Sequence, residues 1–141
     1  MAFNHSKLTY VRIDNASNAL QNISTYCNSF NLPEELDLVE TTTFGATSKT
    51  YVIGYADATL SMGGFWDPTF DGIMTGLKQA FRDGTIASAT FEYGPAGSTG
   101  GYVKYSGEFV LTNYEKGNEI DGVTEWSAEA QVTGNITVTT F

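Results

Sequence analysis

Lys49 and Thr50, closing the run Gly45-Ala46-Thr47-Ser48-Lys49-Thr50, are the residue types that hold nucleotide phosphates. A phosphate loop needs glycine directly before the lysine and again five residues earlier, so that backbone N–H groups can close on the ligand. Ser48 and Thr43 occupy those two places, and no helical pattern follows. The second glycine-rich run, 94–101, lacks the dinucleotide spacing and leads into a strand. Glu34, Glu35, Asp37 and Glu40 could bind a cation or act in acid–base chemistry, but no aspartate-rich calcium loop surrounds them. They read as the wet face of a strand. Cys27 is the only cysteine and His5 the only histidine, which excludes an intrachain disulfide and a multi-cysteine metal site. Cys27 reads as a small, half-buried hydrophobe. No nucleophile, base and orienting group come together, so the expectation is a protein without catalysis, cofactor or metal.

Seven Lys and Arg stand against sixteen Asp and Glu, a net charge of -9. The basic residues are scattered singly, which excludes the clustered cations of a tight nucleic-acid binder. No apolar run approaches the ~20 residues of a membrane-crossing helix. The first fifteen residues lack the basic and apolar regions of a secretory signal, so assembly in a cytosol is expected.

The elements that must position these residues are mostly strands. Alternation of apolar and polar residues, rich in β-branched and aromatic side chains, marks 7–14, 34–42, 56–65, 86–93, 102–114, 123–133 and 135–140. In 34–42, Leu36 and Leu38 share one face and Glu35 and Asp37 the other. In 86–93, Phe91 and Tyr93 oppose Glu92 on the polar side. Between 68 and 83 the period changes. Phe70, Ile73, Met74, Leu77 and Phe81 form one helical stripe, with Asp67 as N-cap, Pro68 in the first turn and Gly84 at the C-terminus. Residues 42–54 form a long connection, and 115–122 a turn. The reading is one domain over 1–141: an antiparallel β-sandwich or barrel-like body with one packed α-helix.

The stretch 39–68 resembles the signature block of siphophage-type major tail proteins. Glu40 and Thr41 to Thr43 run into Phe44-Gly45; a polar loop with Lys49, Thr50 and Tyr51 follows, then Gly54 and Asp57. A small-residue strand then enters Gly64-Phe65-Trp66-Asp67-Pro68 at the helix start. Tyr55-Ala56 after Gly54 departs from that pattern. The resemblance covers about half of the chain, and the remainder matches in layout.

That resemblance implies the tail-tube fold and a structural virion subunit: six copies per ring, rings stacked head to tail, and a lumen through which DNA passes without tight binding. It implies tape-measure, terminator and distal tail proteins as further partners, a place in the tail of the particle, and no membrane. The loop 42–54 would reach neighbouring subunits through Phe44, Gly45, Lys49 and Tyr51, with Phe44 and Tyr51 as apolar anchors and Lys49 meeting an acidic partner. Glu35 and Asp37 are the candidate lumen-facing carboxylates. Another tail component, a terminator or head–tail connector, is the second reading. A carbohydrate- or receptor-binding β-sandwich is the third.

Overall fold

The computed structural model describes residues 5–141, so the first four residues of the N-terminal stretch and of the expected domain lie outside it. Eight strands and one α-helix follow in chain order: β1 (Tyr10–Asp14), β2 (Leu20–Asn22), β3 (Cys27–Asn31), β4 (Glu34–Glu40), β5 (Tyr51–Phe65), α1 (Pro68–Asp83), β6 (Ala89–Gly94), β7 (Val103–Gly117) and β8 (Glu125–Thr140). All pair antiparallel, in the order β2-β1-β6-β7-β8-β5-β3, with β4 also on β5. The sheet curls on itself, and Phe30 of β3 stacks on Tyr93 of β6 with ring centroids 4.5 Å apart. This is the barrel-like form of the expected architecture, built from one continuous network of strands.

The helix forms where its signals lie. Asp67 Oδ1 accepts from the Thr69 N–H at 2.8 Å, and Gly84 closes the end at a φ of 72°, a left-handed conformation that glycine adopts without strain. Its stripe packs across the concave face of the sheet. Phe70, Met74 and Leu77 are buried with Val11, Ile13, Leu60, Phe91, Phe109 and Trp126. Phe81, near the helix end, is only half-buried and meets Phe109 edge to face with ring centroids 6.4 Å apart.

Several expected boundaries shift. The strand expected at 7–14 begins at Tyr10, since a 3₁₀ turn over Ser6–Leu8 is held by Leu8 N–H on the His5 carbonyl. The strand expected from 86 begins at Ala89. The turn expected at 115–122 narrows to 118–124, and the two strands expected around Gly134 are one strand bent there, at φ 82°. In β7, Leu111 pairs with Ala130 and Asn113 with Glu129. One extra residue therefore sits in β7, and this bulge turns Tyr114 to the same side as Phe109. Glu92, expected on the wet side, is buried. It forms ion pairs with Arg12 and, at 3.0 Å, with Lys104. Phe141 folds over this face, its ring filling the place where a side chain on Gly94 would lie.

Candidate assembly surface

Residues 34–58 leave the body as a two-stranded arm. Asn31 pairs with Ser61 and Glu34 with Ala58, so β3 and β4 follow one another along the same edge of β5, with Pro33 between them. The Thr59 N–H still donates to the Pro33 carbonyl, which carries the ladder across the proline. Further out, Leu36 pairs with Ala56 and Leu38 with Ile53. Three steps of β5 match two of β4, a bulge that places Gly54 and Tyr55 opposite Asp37.

The expected connection 42–54 is therefore shorter. Tyr51 to Gly54 belong to β5, because Tyr51-Val52-Ile53 are strong strand formers and find Glu40, Val39 and Leu38 as partners. The loop proper is 41–50. Its neck is tied by threonines: Thr41 N–H donates to the Thr50 carbonyl at 2.8 Å, Thr50 N–H donates to Thr42 Oγ1 at 3.0 Å, and the two hydroxyls of Thr41 and Thr50 lie 3.0 Å apart. Gly45 turns the tip at φ 88°, beside the fully exposed Phe44. Lys49 also stands on the tip, with no carboxylate within ion-pair distance among the described residues. Phe44, Gly45 and Lys49 are thus brought together at one end of the arm, with Tyr51 at the neck.

Every residue of β4 is exposed. The expectation that one face of this strand lies in the core is not met within the subunit. Strand pairing puts Leu36 and Leu38 on the same side as Ile53, Tyr51 and Ala56, and that side continues the core face of β5 through Ala58, Leu60 and Met62. The apolar face of the body simply runs out along the arm, uncovered.

The opposite face is polar from the body to the base of the arm, and further out it carries the exposed pair Val39 and Val52. Glu35 lies across from Asp57, and the face continues through Thr59 and Ser61 on β5 and Gln131, Glu129 and Ser127 on β8. Asp37 sits on the same side at the bulge, against Gly54. Strands β4, β5 and β8 contain no lysine or arginine. Sequence alternation marks each of these polar faces singly, and the strand order assembles them into one surface.

Beyond Thr59, β5 loses β8 as a partner, because β8 bends at Gly134 to stay with β7. The side-chain amide of Gln131 donates to Asp57 Oδ1 at 2.6 Å and to the Ala58 carbonyl at 3.0 Å, capping the last paired position. A cleft of about 800 Å³ opens there, lined by residues including Glu34, Leu36, Ala56, Val132 and Ile136.

At the far end of β5 the body is rigidly tied. Asp71 Oδ1 accepts from Trp66 Nε1 at 3.1 Å and from the Tyr114 hydroxyl at 2.9 Å. Burial pushes the Asp71 carboxyl up, but these two bonds and the Lys116 charge outweigh it and hold it below its ordinary value. Burial, and then the bond to Asp71, pushes the Tyr114 phenol up. Burial also raises the Cys27 thiol to about 12, in keeping with a small apolar filler. Cys27 lines a shallow cleft with Ser24, Asn28 and Tyr93, with no histidine or carboxylate among the lining residues to act as its base. No cluster of three metal-ligating side chains occurs among the described residues.

No protein-family model matches the sequence, and no curated protein does. Solved structures do. A chain in the tail of an empty gene transfer agent particle, refined with C6 symmetry, superposes with a TM-score of 0.75 at 16% identity, over 98% of this chain and 99% of that one. The SPP1 tail tube gives 0.76 at 10% identity, over 99% and 80%. A chain of the sheath–tube complex of an extracellular contractile injection system gives 0.71 at 9%, over 99% and 93%. The chain has the tail-tube fold along essentially its whole length.

Proposed function

We propose that this chain is the major tube subunit of a siphophage-type tail, a structural protein that forms stacked hexameric rings and catalyses no reaction. The observation that carries this reading is the arm. It presents Leu36, Leu38, Phe44, Tyr51 and Ile53 to solvent, on a chain whose fold is that of tail tubes. Such a surface is a liability for a free monomer and is accounted for by burial against neighbouring copies. Sixfold rings are supported by the C6 symmetry of the gene transfer agent tail, and head-to-tail stacking follows from an interface whose two sides differ.

The polar face of β4, β5 and β8 lines the lumen in this reading, with Glu35 and Asp37 among its carboxylates. A wall without cations repels phosphates rather than releasing their counterions, so the genome slides through during ejection without sticking. Tape-measure, terminator and distal tail proteins are the remaining partners, the virion tail is the location, and the host cytoplasm is where the tube is assembled.

Negative-stain microscopy of the purified protein at high concentration tests the proposal. Hollow tubes of phage-tail width are expected. Isolated rings that never polymerise would favour a terminator or connector. A strict monomer at every concentration would end the tube reading.

A further inference from the structure

The arm has a donor end and the subunit has an acceptor that the arm cannot reach in its own chain. The cleft lies at the arm's base, beside Glu34 and Ala58, whereas Phe44 lies past the Glu40–Tyr51 pair at its far end. Six residue steps of strand separate the two pairs, roughly 20 Å. The cleft offers an apolar floor in Leu36, Ala56, Val132 and Ile136, and one wall carries the carboxylate of Glu34. The tip offers one fully exposed aromatic ring and one unpaired cation. Glu35 and Asp57 also line the cleft, but Asp57 is engaged by Gln131 and strand pairing sets Glu35 on the polar side, whereas Glu34 shares the side of Leu36 and Ala58.

We infer that the cleft between β5 and β8 is the receptacle for the arm tip of a second copy of this chain, with Phe44 entering over Leu36, Ala56 and Ile136, and Lys49 pairing with Glu34. The inference rests on the assembly reading above and names the receiving surface that it leaves open. The match is one of kind: an exposed ring for an apolar cleft, a lone cation for a free carboxylate, and an open length of β5 edge for extended backbone. Each copy gives a tip and receives one, so the contact is head-to-tail and propagates.

The test pairs two chains, one carrying Ser48→Cys beside Lys49 and the other Asn135→Cys on the cleft rim, leaving Phe44, Lys49 and Glu34 intact. Both chains also carry Cys27→Ala. Mixed, assembled, and treated with a short bis-maleimide, they should yield a 48–135 cross-link in the tube fraction that the unassembled mixture lacks. Separately, Lys49→Glu should raise the protein concentration needed for tubes by about tenfold, and adding Glu34→Lys to it should reverse most of that loss. Tubes that form normally yet give no 48–135 product, or a Lys49→Glu effect that Glu34→Lys does not relieve, would overturn the receptacle and leave the tube reading standing. Failure of the unsubstituted chain to form tubes would overturn both.

Discussion

Gly64 of β5 and Tyr26, just before β3, approach so closely that a methyl group on the glycine would collide with the tyrosine carbonyl. That carbonyl also accepts from Trp126 Nε1 at 3.0 Å, so one contact locks the β3 edge, β5 and the core indole together. Gly64→Ala must push Tyr26 away and break the indole bond. A loss at or above the upper end of the ~1–3 kcal/mol seen for overpacking is expected in denaturant unfolding. Gly72→Ala, at a helical position with nothing near its added methyl, should instead gain about 0.8 kcal/mol from helix propensity. Equal effects at the two sites would refute the packing argument.

Leu77 is fully buried beneath the helix, and Leu77→Ala should lower stability by about 2–5 kcal/mol. Phe81→Ala should cost less than the ~3–5 kcal/mol of a fully buried phenylalanine, because its ring is only partly buried. Chemical denaturation of the two variants side by side checks the order.

Glu92 holds two cations, Arg12 and Lys104, on the covered side of β6. Glu92→Ala leaves those charges facing each other with their shared counterion gone, and a loss of about 3 kcal/mol is expected. Pairing it with Lys104→Met should recover part of the loss. If the single variant is within ~0.5 kcal/mol of the parent, the triad contributes nothing to stability.

Stability should fall on the alkaline side. Cys27 and Tyr114 both have folded pKa values above their ordinary ones, 9.0 and 10.0, so their contribution is complete below those values and is lost as pH rises toward the folded ones. Asp71 has the opposite sign: its contribution is present above 3.8 and is lost as pH falls through its lowered folded value. Melting temperature against pH should decline above about pH 9, and Cys27→Ala with Tyr114→Phe should flatten that limb. An unchanged alkaline slope in the double variant would show that other groups set it.

Removing residues 45–50 should leave a folded subunit, because the tip makes its hydrogen bonds within 40–50 and contributes nothing to the core. Circular dichroism should match the parent, and tubes should be absent. Tubes at normal yield would mean that the arm tip has no part in assembly.

The helix was legible because its cap, its proline, its closing glycine and its stripe all agree. The strands were legible as periods, but a period names a face and not what covers that face. Leu36 and Leu38 alternate like core residues, yet nothing in their own subunit lies over them. Glu92 alternates like a solvent residue, but the strand order sets two cations beside it. Tyr114 has the parity of the wrong face until the bulge at Thr112 reverses it. β3, Cys-Asn-Ser-Phe-Asn, is too short and polar to announce a strand, and exists because its backbone has β5 to pair with. Of the six residues picked for function, the strand layout groups Phe44, Gly45 and Lys49 at the tip, sets Tyr51 at the neck and leaves Glu35 and Asp37 on the polar face. The cleft at Gly134 had no sequence signal beyond a single glycine.

The lone cation at the arm tip also makes the protein readable by a protease. Trypsin cuts after lysine and arginine, and between residue 13 and residue 77 it finds Lys49 alone, on an exposed loop. A brief digest of the free subunit would therefore nick the tip first, separating residues 1–49 from 50–141 while β4 and β5 still hold the pieces together. A tip seated in a neighbouring copy would be shielded from that cut. The ratio of nicked to whole chain then counts free tips directly, and only the terminal layer of a finished tube would still expose them.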